Sequence, residues 1–301
     1  MIATPSYLRL LESGELRRRA EAARERSLRC DLCPRACGAD RPADARGSCG
    51  EGRLARLSSV GPHFGEERPL VGFGGSGTLF FCGCNLRCAF CQNAEISQGG
   101  EGRPVSAAEL TRSMLAVQEL GCHNLNLVTP SHVVAPILEA LCLAAEEGLR
   151  LPVVWNCGGY EALSTLALLD GVVDIYMPDL KYMDAAMGLR YSGVPDYPEV
   201  ARAALREMHR QVGVLQLDER GIAWRGLLLR HLVLPGGAAG TAEAVEFVAA
   251  ELSPRTYVNL MDQYRPCHRI HGDPLLGRRL GRDEFDEALR LARDAGLSRL
   301  D

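Results

Sequence analysis

From about Gly77 onward, short apolar runs alternate with stretches whose apolar positions recur every three or four residues. The runs predict strands at 78–82, 124–129, 152–157, 174–179, 227–234 and 257–263. The periodic stretches predict helices at 105–120, 133–148, 161–170, 185–211, 240–252 and 282–296. Ser106 and Glu109 have the spacing of a helix-opening capping box. Near-continuous apolar strands separated by helices predict a parallel sheet covered by helices. Six such units predict an α/β fold, a partial (β/α)6 TIM-type barrel rather than the closed eight-unit form. Residues 212–225 read as an inserted hairpin turning between Asp218 and Gly221. Upstream, 5–28 reads as one Arg/Glu-rich helix with a solvated face. The stretch from Cys30 to Arg68 is rich in Cys, Gly, Pro and Arg with little periodicity. It holds too few apolar residues for a core of its own, so a metal would have to organise it. The expected division is an N-terminal helix (1–29), a four-cysteine metal-binding segment (30–70) and the barrel (71–301).

Apolar residues make up 47% of the 301 residues and charged residues 24%, enough for a buried core. The net charge of −4 and the 17 aromatic residues argue against a nucleic-acid partner. The longest stretch without Asp, Glu, Lys or Arg, 120–138, carries two His, two Asn and two Pro, a poor membrane span. No apolar leader opens the chain, so the expected location is cytoplasmic. Eight of twelve Cys fall at 30–49 and 82–91, which in such a chain points to metal rather than disulfides. A single Lys, Lys181, stands against 33 Arg, and only six Asn occur: Asn85, Asn93, Asn124, Asn126, Asn156 and Asn259. The Asn residues fall on strands, at their ends or in the loop after the first strand, and parallel barrels build their sites at strand C-terminal ends.

Phe81–Asn93, FCGCNLRCAFCQN, places Cys84, Cys88 and Cys91 as C-x3-C-x2-C. Three thiolates on one loop suit three irons of a [4Fe–4S] cluster and leave the fourth open. Zinc fits less well, because its structural sites close with four ligands. This motif, with Phe90 before the third Cys, resembles the radical S-adenosylmethionine (SAM) superfamily. The longer run GSGTLFFCGCNLRCAFCQN resembles the branch related to pyruvate formate-lyase-activating enzyme, and most of all an iron–sulfur subfamily of it. Further matches lie in NLNLVTPSH, VVWNCGGYE, DIYMPDLKY, RHLVLPGG and NLMDQYRP. The resemblance implies that the open iron is chelated by the amino and carboxylate groups of SAM. Cys82, where relatives often carry Ser, reads as a spectator thiol on the strand.

The resemblance also implies the SAM contacts. Phe90 and Asn93 belong to the cluster loop. Thr129 and Pro130 stand, with Ser131 and His132, where activating enzymes carry Gly-Gly-Glu. Asn156-Cys157 aligns with an Asp-Thr pair, and Met177-Pro178-Asp179-Leu180-Lys181 with a Met-x-Asp-x-Lys run whose Lys helps hold SAM. A Lys ammonium is a compact charge suited to a carboxylate, and the planar Arg fork does not replace it. His132 reads either as a substrate contact or as a cap on the following helix. Arg230-His231 and Gln263-Tyr264 are further polar strand ends, with a salt-bridged role open for Arg230. Cys267, His268 and His271 have metal-like spacing but read as loop. Cys30, Cys33, Cys37 and Cys49 form C-x2-C-x3-C-x11-C, which satisfies either tetrahedral zinc or a second [4Fe–4S] cluster.

The expected function is therefore that of a radical SAM oxidoreductase. Its reduced cluster cleaves SAM to methionine and a 5′-deoxyadenosyl radical that abstracts hydrogen, with no side chain required as general base. The branch implies a glycyl residue of a partner protein as the hydrogen source, and an electron donor such as flavodoxin or ferredoxin. The alternatives are radical SAM modification of another protein or a small molecule, and a non-catalytic iron–sulfur electron carrier.

Overall fold

The computed structural model describes residues 4–301. Its strands are β1 (Ala55–His63), β2 (Ser76–Phe81), β3 (Arg103–Val105), β4 (Leu125–Val128), β5 (Val153–Cys157), β6 (Ile175–Pro178), β7 (Gln216–Leu217), β8 (Ala223–Leu232), β9 (Tyr257–Met261) and β10 (Arg299–Leu300). They pair in the order β10-β9-β8-β6-β5-β4-β2-β1-β3, with β7 hairpinned onto β8. The six predicted strands are the run from β2 to β9, all parallel and adjacent in chain order. The path does not join its own ends, an open α/β arrangement consistent with a partial barrel.

The parallel strands are apolar on both faces because helices cover one side and the other carries a second buried cluster with Val154, Ile175 and Leu228. Leu79, Phe81, Leu127, Trp155 and Tyr176 are all buried in one continuous core with Leu110, Met114, Leu138 and Leu141 from the covering helices. The 107–119 helix starts at the expected capping box: the Ser106 hydroxyl accepts from the Glu109 N–H, and the Glu109 carboxylate accepts from the Ser106 N–H at 2.8 Å.

Three expectations are corrected. The 5–28 helix is two, Tyr7–Glu12 and Glu15–Arg26, parted at Gly14, whose φ of 74° an L side chain resists. The 185–211 helix is also two, Ala185–Ser192 and Tyr197–Val212, because Gly193 takes φ 66° and a Val-Pro pair follows within the break. The segment expected to lack regular structure supplies β1, which runs antiparallel to β2 and extends the sheet beyond the parallel strands.

The N-terminal helices close the end of the sheet away from the strand C-termini. Asp174, just before β6, accepts from the Ser6 N–H at 2.9 Å and the Val153 N–H at 3.0 Å. The Tyr7 hydroxyl donates to the Leu151 carbonyl at 3.1 Å. Helix Glu15–Arg26 then packs on helix Val134–Glu146. No described helix is long and apolar enough to cross a membrane. Replacing the Ser106 cap with Ala should lower unfolding free energy by ~1 kcal/mol in a denaturant titration, with the spectrum of the folded state unchanged.

Candidate cluster and cofactor site

The C-terminal ends of the parallel strands open into a cavity of about 750 Å³. Strand ends line it in order: Phe80, Val128 and Thr129, Asn156 and Cys157, Asp179 and Lys181, Arg230, and Asn259 to Gln263. The loop after β2 folds over it and brings Cys84, Cys88, Phe90, Cys91 and Asn93 to the same wall. Of the residues expected to contact cofactor, only Pro130 does not line it; its carbonyl accepts from the Val133 N–H, opening the next helix.

Each thiol of the triad has a polar neighbour, and Cys84 Sγ also lies 3.9 Å from Asn85 Oδ1. The Leu86 N–H donates to Cys84 Sγ at 3.3 Å, the Ser192 hydroxyl donates to Cys88 Sγ at 3.0 Å, and Ser97 Oγ lies 3.2 Å from Cys91 Sγ. Burial pushes the Cys84 thiol far above its ordinary value; it also raises Cys88, which Lys181 and Ser192 partly offset. Both remain neutral thiols until a metal displaces their protons. Among the described residues, no three His, Cys, Asp or Glu side chains are arranged around a single metal ion. The three thiols instead border one shared space with hydrogen-bond donors behind them. Three sulfur ligands on one loop and an adjoining cavity match the donor set of an open-iron cluster, and the fourth thiol on the lining, Cys157, is engaged with Glu161.

Lys181 stands in this cavity with its Nζ 2.6 Å from Asp179 Oδ2. Burial works against its charge, but Asp179 outweighs it and holds the ammonium well above its ordinary value. The pair is fixed through the backbone. The buried Tyr197 hydroxyl accepts from the Lys181 N–H at 2.9 Å and faces the Gly158 and Asp179 carbonyls, each at 2.9 Å. Thr129 sits at φ 60°, unusual for a β-branched residue, where its N–H donates to the Asn156 carbonyl at 2.8 Å. Strain of this kind collects at sites that hold a ligand.

The far wall holds a network that the sequence pattern does not announce. Arg230 binds Glu67 through two contacts of 2.7 Å and also pairs with Glu66. Asn259 donates to Glu67 at 2.8 Å and Asn126 to Glu66 at 3.3 Å. Burial alone would raise the Glu67 carboxyl, but Arg230 and Asn259 hold it below the usual range. Glu66 and Glu67 come from the Gly-Glu-Glu-Arg-Pro run just after β1. Only tertiary contact with β8 and β9 shows them to be cavity residues.

The other candidates are placed elsewhere. His132 neither reaches the cavity nor caps a helix; it is buried with Nε2 2.7 Å from the Cys82 carbonyl, and burial lowers it to about 4. His231 is held between the Leu180 carbonyl and the Thr241 hydroxyl, and Tyr264 donates to the Leu276 carbonyl. Asn124 bonds Ser76 and Leu70, and Asn85 donates to the Tyr160 carbonyl, both buried. Cys82 points toward the Glu101 carbonyl at 3.4 Å, away from the cavity, and Cys267 toward the Phe90 carbonyl at 3.3 Å. His268 meets Gln98, and His271 is exposed.

Behind β5, Glu161 is buried beside Cys157 and accepts from the Ser131 hydroxyl; its second oxygen has no partner among the described residues. Burial raises it from 4.5 to about 7. With the folded value above the unfolded one, its contribution to stability is complete below about pH 4.5 and is lost as pH rises through about 7. Melting temperatures from pH 4 to pH 8 should therefore show a decline that Glu161→Gln flattens; an identical decline in the variant would contradict this assignment.

Comparison with known proteins agrees with this geometry. The model of the radical SAM superfamily matches residues 78–215, from β2 to just before β7. An uncharacterized protein of Methanocaldococcus jannaschii, MJ0674, is 32% identical over 91% of this chain and 77% of its own length. A solved structure of TYW1 with a lysine-pyruvate adduct bound overlaps 72% of this chain and 70% of its own at 15% identity and a TM-score of 0.42. The matched region contains the three-thiol loop, the Asp179–Lys181 pair and the cavity-lining strand ends from Phe80 to Asp179, while Arg230 and Asn259 to Gln263 lie beyond it. The chain belongs to the radical SAM superfamily.

Proposed function

We propose that this protein reductively cleaves SAM at a [4Fe–4S] cluster held by Cys84, Cys88 and Cys91, and uses the resulting radical to abstract hydrogen from a substrate in the same cavity. When bound, the cluster supplies one electron to the SAM sulfonium, so that the carbon–sulfur bond breaks homolytically to methionine and a 5′-deoxyadenosyl radical. The observation that carries the reading is the shared cavity wall: three thiols and the Asp179–Lys181 pair face one space at the strand C-terminal ends.

The chain's own residues bind and orient. Lys181 presents a positive point charge to the carboxylate of SAM, and Asp179 and the Tyr197 hydroxyl fix where that charge sits. Thr129 and Asn156, joined through the backbone, form the adjacent strand-end wall. Phe90 is wedged among Tyr182, Tyr191 and Tyr264, so the cluster loop is backed by aromatic packing that excludes water. The Glu66–Glu67–Arg230 network closes the opposite side and leaves Arg68, Gln263 and Asp262 to face a substrate. A donor such as flavodoxin or ferredoxin supplies the electron. Cys30, Cys33, Cys37 and Cys49 would hold a second metal centre.

Addition of SAM to the reduced, cluster-loaded protein should change its electron paramagnetic resonance (EPR) spectrum. Lys181→Arg should keep the cluster but weaken SAM binding by about tenfold or more, as expected for a desolvated charge pair. A spectrum indifferent to SAM would contradict the proposal, and an unchanged SAM affinity in Lys181→Arg would remove Lys181 from it.

A further inference from the structure

Cys30, Cys37 and Cys49 lie around a buried cation, and Cys33 lies near Cys30 and Cys49. Arg41 is only 6% exposed and donates from Nη2 to Cys49 Sγ at 3.0 Å. Its remaining contact is a long one to the Gly52 carbonyl, its Nε is buried without a partner, and no carboxylate pairs with it among the described residues. A buried guanidinium without an anion is a costly arrangement. Thiolates bound to a metal would provide the missing negative charge. Gly47 leaves room for this grouping, because a Cβ there would stand 2.8 Å from Cys37 Sγ and 3.2 Å from Arg41 Nη2.

This site is stitched to the triad at two points. Arg35, between Cys33 and Cys37, donates to the Asn85 carbonyl at 2.8 Å and the Ser192 carbonyl at 3.2 Å. Asn85 follows Cys84, and the Ser192 hydroxyl is the donor to Cys88. On the other side, Gly83 packs so closely that a Cβ there would stand 2.7 Å from the Cys49 carbonyl oxygen. Gly83 precedes Cys84. Cys49 and Cys84 also line one cleft of about 300 Å³, edged by the exposed Arg46 and Arg87. A purely structural zinc needs three or four of these thiols around one ion, an arrangement not found among the described residues, and it gives no reason for the site to adjoin Cys84 and Cys88 through both of its loops.

We infer that Cys30, Cys33, Cys37 and Cys49 hold a second, redox-active iron–sulfur cluster, set beside the first so that an electron taken up at one centre reaches the other. The inference rests on the triad holding its own cluster, as proposed above. An external one-electron reductant reduces one centre from the 2+ to the 1+ state. Passage of that electron returns the first centre to 2+ and leaves the other at 1+, with no bond made or broken. The basic edge of the cleft favours an anionic reductant, and the guanidinium of Arg41 offsets the negative charge that the N-terminal centre gains on reduction.

The test uses full-length protein reconstituted without oxygen and reduced with dithionite. Wild type should contain about eight irons per chain and the Cys84→Ala/Cys88→Ala/Cys91→Ala variant about four, with matching sulfide. The reduced variant should give a single EPR signal, and fully reduced wild type a spectrum broadened by interaction between two centres. About one zinc and no iron in the triad variant would overturn the inference. Two full clusters without magnetic interaction would overturn the electron path. Should the triad variant fail to fold, Arg41→Gln in an otherwise wild-type chain decides: the inference requires about eight irons and a lowered potential of one centre only. An unmoved pair of potentials, or iron already at about four in wild type, would refute it. The triad's own activity is read separately by SAM-dependent spectra, so failure of either proposal is distinguishable.

Discussion

The site depends on one buried hydroxyl. Tyr197 opens the helix after the Gly193 break, and its side chain reaches back under the strand ends to meet the Lys181 N–H and the carbonyls of Gly158 and Asp179. It thereby ties the ends of β5 and β6 together and sets the only Lys of the chain against Asp179. Tyr160 stacks on its ring, and Tyr182 meets it edge-on. A parallel sheet offers strand ends at fixed spacing; this hydroxyl fixes the loops that follow them. The position of the ammonium relative to the three thiols follows from that constraint.

The parts of the fold that were legible in the sequence are those set by local patterning. Six apolar runs became six adjacent parallel strands, and the Ser106–Glu109 spacing became a capping box with both hydrogen bonds. The breaks at Gly14 and Gly193 are hidden from apolar periodicity alone, and the residues that mark them are the glycines themselves and, after Gly193, Pro195. β1 was also missed. It has little apolar periodicity because much of it is exposed, and it exists by pairing with β2.

The candidate site divides in the same way. The thiol loop and the Asp179–Lys181 pair were legible because cluster chemistry dictates residue type at fixed spacing. Glu66 and Glu67 were not, because a paired acid in a loop looks like any solvated turn until Arg230 is seen to neutralise it. His132 misled for the opposite reason: a His after a strand suggests chemistry, yet burial and the Cys82 carbonyl make it part of the packing. The segment at 129–132 departs from the activating enzymes in composition, so the resemblance carried the cleavage chemistry further than it carried the substrate.

The central claim is that an open iron beside Lys181 cleaves SAM, and product formation tests it most directly. Protein purified and reconstituted without oxygen is reduced with dithionite, given SAM, and assayed for 5′-deoxyadenosine by chromatography. The account predicts the nucleoside from wild type and none from Cys88→Ala. A fully cluster-loaded wild type that yields no nucleoside, or a Cys88→Ala variant that yields as much, would contradict it.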